Sequence, residues 1–205
     1  MSLTIPPLAV LLLLKEHGLL EEVGAVCDFG SQEFDARESA NNKPYETFFA
    51  AHDIPVPSEF YDLETGRLYG TSGDLFRALG KDYRSFDIDG RWGSRVLDLN
   101  MDEIPQEDRG RYSLTMNIGT SEHVFNQHNF FLQSHNVTAE GCLMFHLVPC
   151  NNYMNHGLYC YSPTFFISMA EYNQYELLGL WHWGKLKKKK PKGKKPKGDK
   201  PKGEK

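Results

Sequence analysis

Short apolar runs alternate with longer amphipathic stretches along most of the chain, and this alternation predicts the elements. An apolar run predicts a helix over about 6–22, Gly24 interrupts it, and Ala25-Val26-Cys27-Asp28-Phe29 reads as a buried strand ended by Gly30. A second strand, Tyr83 to Asp89, follows a helix expected from Ser72 to Gly80. Arg95 to Leu99 reads as a third strand and Tyr112 to Ile118 as a fourth. After a helix over about Ser121 to His135 comes a fifth, Gly141 to Val148, closed by Pro149. An aromatic loop over 150–162, a helix with Pro163 near its start and a last strand over Tyr175 to Trp183 complete the pattern. Short apolar strands separated by helices imply parallel βαβ units in an α/β, doubly wound sheet.

One segment breaks the alternation. Between Gly30 and Asp87 lie far more residues than a single crossover helix needs, and long structureless loops are uncommon. The aromatics of Tyr45-Glu46-Thr47-Phe48-Phe49 and Phe60-Tyr61 predict a helical insertion over 35–70, serving either as a cap on a site or as a patch on the core.

Charge divides the chain differently. The 205 residues sum to a net charge of −4, yet residues 185–205 hold 12 lysines against Asp199 and Glu204. Residues 1–184 are left with 11 basic against 25 acidic side chains, so an acidic domain carries a basic tail. The Lys-rich stretch with its Pro-Lys-Gly repeats cannot build a core and is expected to be disordered. A surface this acidic argues against nucleic-acid binding by the domain itself, so any polyanion contact falls to the tail.

The longest apolar run, Ile5 to Leu14, is too short to span a bilayer, which takes about 20 residues, and no basic residue precedes it as a secretory signal would require. Cys27, Cys142, Cys150 and Cys160 form no C-x-x-C pair. Free thiols, no membrane association and a cytoplasmic location are the expectations.

The strand ends carry the chemistry. Asp28-Phe29-Gly30-Ser31, Asp87-Ile88-Asp89, Asp98-Leu99-Asn100 and Asn117-Ile118-Gly119-Thr120 close four consecutive strands. Glycine lets backbone approach a ligand, one carboxylate can take both hydroxyls of a ribose, and another can accept from an exocyclic amine. The set suits an adenosine-like ligand.

With these residues the chain resembles the class I S-adenosylmethionine-dependent methyltransferases. Val26-Cys27-Asp28-Phe29-Gly30-Ser31-Gln32 is similar to a degenerate form of that family's first motif. Asp87 falls at its ribose-binding acid, and Asp98-Leu99 at its adenine-flanking pair. Asn117 to Val124 is similar to its motif after strand four, which in a subset of members reads Gly-Thr-(Ser/Thr)-Glu-His-Val. The resemblance spans about Leu8 to Trp183 and implies a Rossmann-like, mostly parallel sheet of six to seven strands with helices on both faces. It implies S-adenosylmethionine as cofactor, held by Asp28, Gly30, Ser31, Gln32, Asp87, Ile88, Asp98, Leu99, Asn117, Gly119 and Thr120. Two departures stand out: Gln32 and Phe34 occupy places where the family has further glycines, and a single strand candidate follows strand five where the family ends in a hairpin.

Methyl transfer needs orientation and, for an oxygen or nitrogen acceptor, a base. His156 beside Gly157, His123, Glu122 and His146 are the candidates, all after strand four or on and after strand five. His146 lies in an apolar run that equally suits a core residue, and Glu122 could simply favour a helix start behind Thr120 or Ser121. No H-E-x-x-H or paired Cys/His module occurs, and His123 and His128 are wrongly spaced for one helix face, so no metal is expected. The expected activity is methylation of a small-molecule acceptor. The alternatives are a catalytically inactive methyltransferase-like scaffold, or an enzyme on RNA or protein recruited by the tail.

Overall fold

A computed structural model describes residues 3–39, 41–151, 153 and 155–183. The basic tail, with the disorder expected for it, lies outside the described residues. In chain order the elements are α1 (Ile5–Glu16), β1 (Ala25–Phe29), β2 (Glu33–Asp35), α2 (Ala36–Ser39), α3 (Lys43–Ala51), β3 (Tyr69–Thr71) and α4 (Ser72–Ala78). They continue as β4 (Asp82–Asp87), β5 (Arg95–Val96), β6 (Tyr112–Ile118), α5 (Gln127–Val137), β7 (Thr138–Leu147) and α6 (Pro163–Asn173).

Five strands form one sheet in the order β5-β4-β1-β6-β7, and every neighbouring pair is parallel. From β1 the chain builds outward through β4 to β5, then returns to β6 on the other side of β1. All five strands therefore end on one rim, with the reversal between β1 and β6. Both central strands are almost entirely buried, as the short apolar runs require. Alternate residues of β1 enter opposite cores. Val26 joins Leu8, Leu11, Phe48 and Phe49 of α1 and α3 and Leu75 of α4, while Cys27 and Phe29 join Phe86, Leu99, Phe130 and Val137.

The insertion is anchored to the core. β2 and β3 pair antiparallel at its base, and Phe34, Tyr45, Phe48, Phe49 and Phe60 are all buried, with the Phe34 ring 5.1 Å from Tyr45 and 5.4 Å from Phe60. Phe34 is thus the anchor of the insertion, and it constrains its strand partner: a Cβ on Gly70 would meet the Phe34 ring at 2.8 Å. Of the two roles the sequence allowed for this segment, its aromatics fill that of core patch.

Several boundaries differ from the pattern. α1 stops at Glu16, β4 at Asp87, and β5 covers only Arg95–Val96, because Leu97 and Leu99 turn into the core. The helix expected from Ser121 is a 3-10 turn over Ser121–His123 followed by α5, whose N-cap is Asn126 accepting from the Asn129 N–H. Tyr175–Trp183 is irregular, not a strand: Gly179 sits directly under the Trp181 ring and no ladder forms, so the described sheet has five strands rather than six or seven. No helix of the described residues is long and apolar enough to cross a membrane.

Candidate functional site

The rim where β1, β4 and β6 end is tied together by the residues that the sequence singled out. Asp87, the last residue of β4, accepts from the Ser31 N–H at 2.6 Å and from the Ile88 N–H at 2.7 Å, one bond to each carboxylate oxygen. The Ser31 hydroxyl donates to the Arg91 carbonyl at 2.9 Å and bonds the Ser94 hydroxyl. Gly30 is left-handed, at φ +90°, and Thr120 closes over it, donating its hydroxyl to the Phe29 carbonyl at 2.6 Å. Gln32 crosses from β1 to β6, its Nε2 donating to the Ile118 carbonyl at 3.0 Å.

Among the described residues, two acceptors in this region lack donors. Asp28 is fully buried; its Oδ2 accepts from the Tyr83 hydroxyl at 3.2 Å, whereas Oδ1 has no partner. Burial pushes this carboxyl well above its usual range, against the pull of the Tyr83 and Ser72 hydroxyls. Gln32 Oε1 is likewise buried without a partner.

Other predicted cofactor residues serve the framework. Asp98 takes the Asn100 N–H and side-chain amide, both at 2.9 Å, and Asn100 in turn holds the Phe125 and Asn126 N–H groups. Leu99 is in the core. Asn117 accepts from the Ser121 N–H at 3.1 Å and donates to its hydroxyl at 2.9 Å, closing the turn through buried Gly119. Ile88 is 65% exposed, an apolar surface beside Asp87.

Three of the four catalytic candidates meet beyond β6. The Leu158 and Tyr159 N–H groups donate to the Glu122 carbonyl at 2.7 and 3.2 Å, and the Tyr159 hydroxyl donates to the Phe125 carbonyl at 2.9 Å. These bonds fold the 150–162 loop back onto the 121–127 segment. His156 Nε2 comes to 3.5 Å from Glu122 Oε1, and the His123 and His156 rings lie 5.1 Å apart. Gly157 makes the approach possible, since a Cβ there would meet Glu122 Cγ and its carbonyl oxygen at 2.9 Å. Glu122 has no exposed surface, neither carboxylate oxygen has a hydrogen-bond donor among the described residues, and burial raises its pKa. Among the described residues, Glu122, His123 and His156 are the one group of three His, Cys, Asp or Glu whose ligand atoms all lie within 4.8 Å of one another.

His146 is not part of this group. Its ring lies against Phe131 and Phe166, Nδ1 accepts from Asn117 at 3.3 Å, and burial lowers its pKa to about 4. It is a neutral core histidine, as the apolar run around it allowed.

Sequence reasoning missed Tyr83, Ser94 and the return of the 150–162 loop onto Glu122. The Gly157 next to His156 is the one local sign of that return; Tyr83 and Ser94 carry no signal in the sequence. No protein-family model, curated protein or solved structure gives a match to this chain.

Proposed function

We propose that the chain is an S-adenosylmethionine-dependent methyltransferase with a Rossmann-like, doubly wound sheet, acting on a small-molecule acceptor between the ends of β6 and β7. The observation that carries this reading is the all-parallel order β5-β4-β1-β6-β7, because sheets that reverse direction in this way take ligands beyond the strand ends at the reversal. Gly30, Ser31, Gln32, Asp87 and Thr120 lie there.

The residues present fit the cofactor. Asp87 is half-buried and receives one N–H at each oxygen, leaving lone pairs for two ribose hydroxyls, with exposed Ile88 beside it for a flat base. The unpartnered Asp28 Oδ1 and Gln32 Oε1 suit an ammonium group, which would supply the donors both lack. Entry of the methionyl end requires Gln32 to release the Ile118 carbonyl. The cofactor, when bound, supplies an electrophilic methyl group. The chain's own part is to orient the acceptor and take its proton. His156 turns Nε2 toward Glu122, which leaves Nδ1 for an acceptor hydroxyl or amine, and the buried carboxylate stabilises the resulting imidazolium.

The Gln32 bridge and Thr120 over Gly30 also favour a second reading, a methyltransferase-like scaffold without turnover. Calorimetry separates the outcomes. Saturable binding of S-adenosylhomocysteine, weakened at least about tenfold by Asp87→Ala, supports the nucleoside site, a loss of about 1.4 kcal/mol. No heat at millimolar ligand rejects the enzyme, and binding without methyl transfer to any acceptor leaves the scaffold.

A further inference from the structure

We propose that Glu122, His123 and His156 form a binding site for a divalent transition cation of the zinc class, with a coordination position left open to solvent. The inference goes beyond the methyltransferase reading and does not depend on it.

The donor set is the first reason. One carboxylate and two imidazoles match the three-ligand sites of zinc and of non-haem iron(II), in which the remaining position takes water or a substrate oxygen. Soft thiolates are not part of the group, and hard cations such as magnesium or calcium prefer oxygen donors.

Geometry is the second. Bonds of about 2.1 Å in a tetrahedral site place ligand atoms roughly 3.4 Å apart. Glu122 Oε1 and His156 Nε2 are already 3.5 Å apart, and all three ligand atoms fall within 4.8 Å. The remaining contraction falls on His123 and His156, both on exposed residues, while Glu122 stays fixed in the interior.

The third reason is the state of Glu122 itself. A buried carboxylate ordinarily collects hydrogen-bond donors, and among the described residues this one has none at either oxygen, although its backbone carbonyl takes two. A bare imidazole–carboxylate pair would bring an N–H to one oxygen at about 2.8 Å. The 3.5 Å separation is too long for that bond and suits two ligands of one ion. The loop is shaped to the same end, since Gly157 lies against the Glu122 side chain where any Cβ would push His156 away.

With a cation bound, the imidazole nitrogens are occupied. The site would then act as a Lewis acid on a water or hydroxyl at its open position, lowering the pKa of the oxygen it coordinates.

The test uses the full chain stripped with a chelator and titrated with zinc(II) or cobalt(II) alone, read by calorimetry and by the visible bands of cobalt. The expected result is one cation per chain, with the intense cobalt bands of a site of low coordination number. Glu122→Gln, His123→Ala and His156→Ala should each weaken binding by more than about tenfold, as loss of even a supporting partner of a metal ligand does. His17→Ala, at the far end of α1, should leave it unchanged. The wild-type cobalt spectrum requires no variant, so a variant that misfolds does not decide the matter. Absence of binding to the wild type, weak octahedral-type bands, or equal affinity in the Glu122 and His17 variants would overturn the proposal.

Discussion

Asp108 and Glu122 are both carboxylates with no exposed surface, and they are treated in opposite ways. Asp108 sits in the 3-10 turn Gln106–Asp108 ahead of β6 and is surrounded by donors. The Tyr112 hydroxyl reaches Oδ1 at 2.5 Å, Arg95 reaches Oδ2 at 3.2 Å, and Arg84 lies 3.3 Å from Oδ1. Glu122, beyond the other end of β6, has no donor at either oxygen among the described residues and a histidine that stops short of a hydrogen bond. An unpaired buried charge costs several kcal/mol, so the first arrangement serves stability and the second works against it.

The largest effect should come from the paired carboxylate. Asp108→Asn leaves Arg84 and Arg95 facing a neutral group; both are more than a third exposed, so water offsets part of the loss, and the protein should be destabilised by about 2–3 kcal/mol, lowering Tm by roughly 4–10 °C in a calorimetric scan. An unchanged Tm would mean that the two arginines act through solvent alone.

A smaller effect should come from pH. His146 has its folded pKa lowered to about 4 against the ordinary value of 6.5. The unfolded chain therefore takes up the proton first, so stability is fully present above pH 6.5 and is lost as pH falls toward 4. Urea midpoints measured across this window should fall with acid in the wild type, and His146→Phe should flatten that part of the curve. A variant curve parallel to the wild type would remove His146 as the titrating group.

Much of this arrangement was legible from residue order. The five short apolar runs became the five strands, and the acid and glycine turns fell on one rim because parallel strands must all end on the same side. The Tyr175–Trp183 run was misread because apolarity alone does not provide a ladder partner. Leu97 and Leu99 were assigned to a strand although they turn inward. In the site, Glu122 and His123 could be read from their own motif, but their meeting with His156 depends on backbone bonds from Leu158 and Tyr159 that no spacing along the chain expresses. For the same reason the spacing along the chain relates His123 to His128, its neighbour in the sequence, and does not show His156, its neighbour in space. Asp98 and Leu99 show the converse: both lie just beyond β5, yet Asp98 closes a turn with Asn100 and Leu99 lies in the core.

The contrast between the two carboxylates is tested most directly by denaturant unfolding of Glu122→Gln beside the wild type, with no metal present, from acid to neutral pH. Burial holds the folded Glu122 pKa above its ordinary 4.5, so the folded state keeps the proton longer and stability from this group falls as pH rises past 4.5. The account predicts that Glu122→Gln matches the wild type in acid and is equal or more stable, by up to about 1 kcal/mol, at neutral pH. A loss at neutral pH comparable to that of Asp108→Asn would contradict it, because Glu122 would then be a structural carboxylate like its counterpart at the other end of β6.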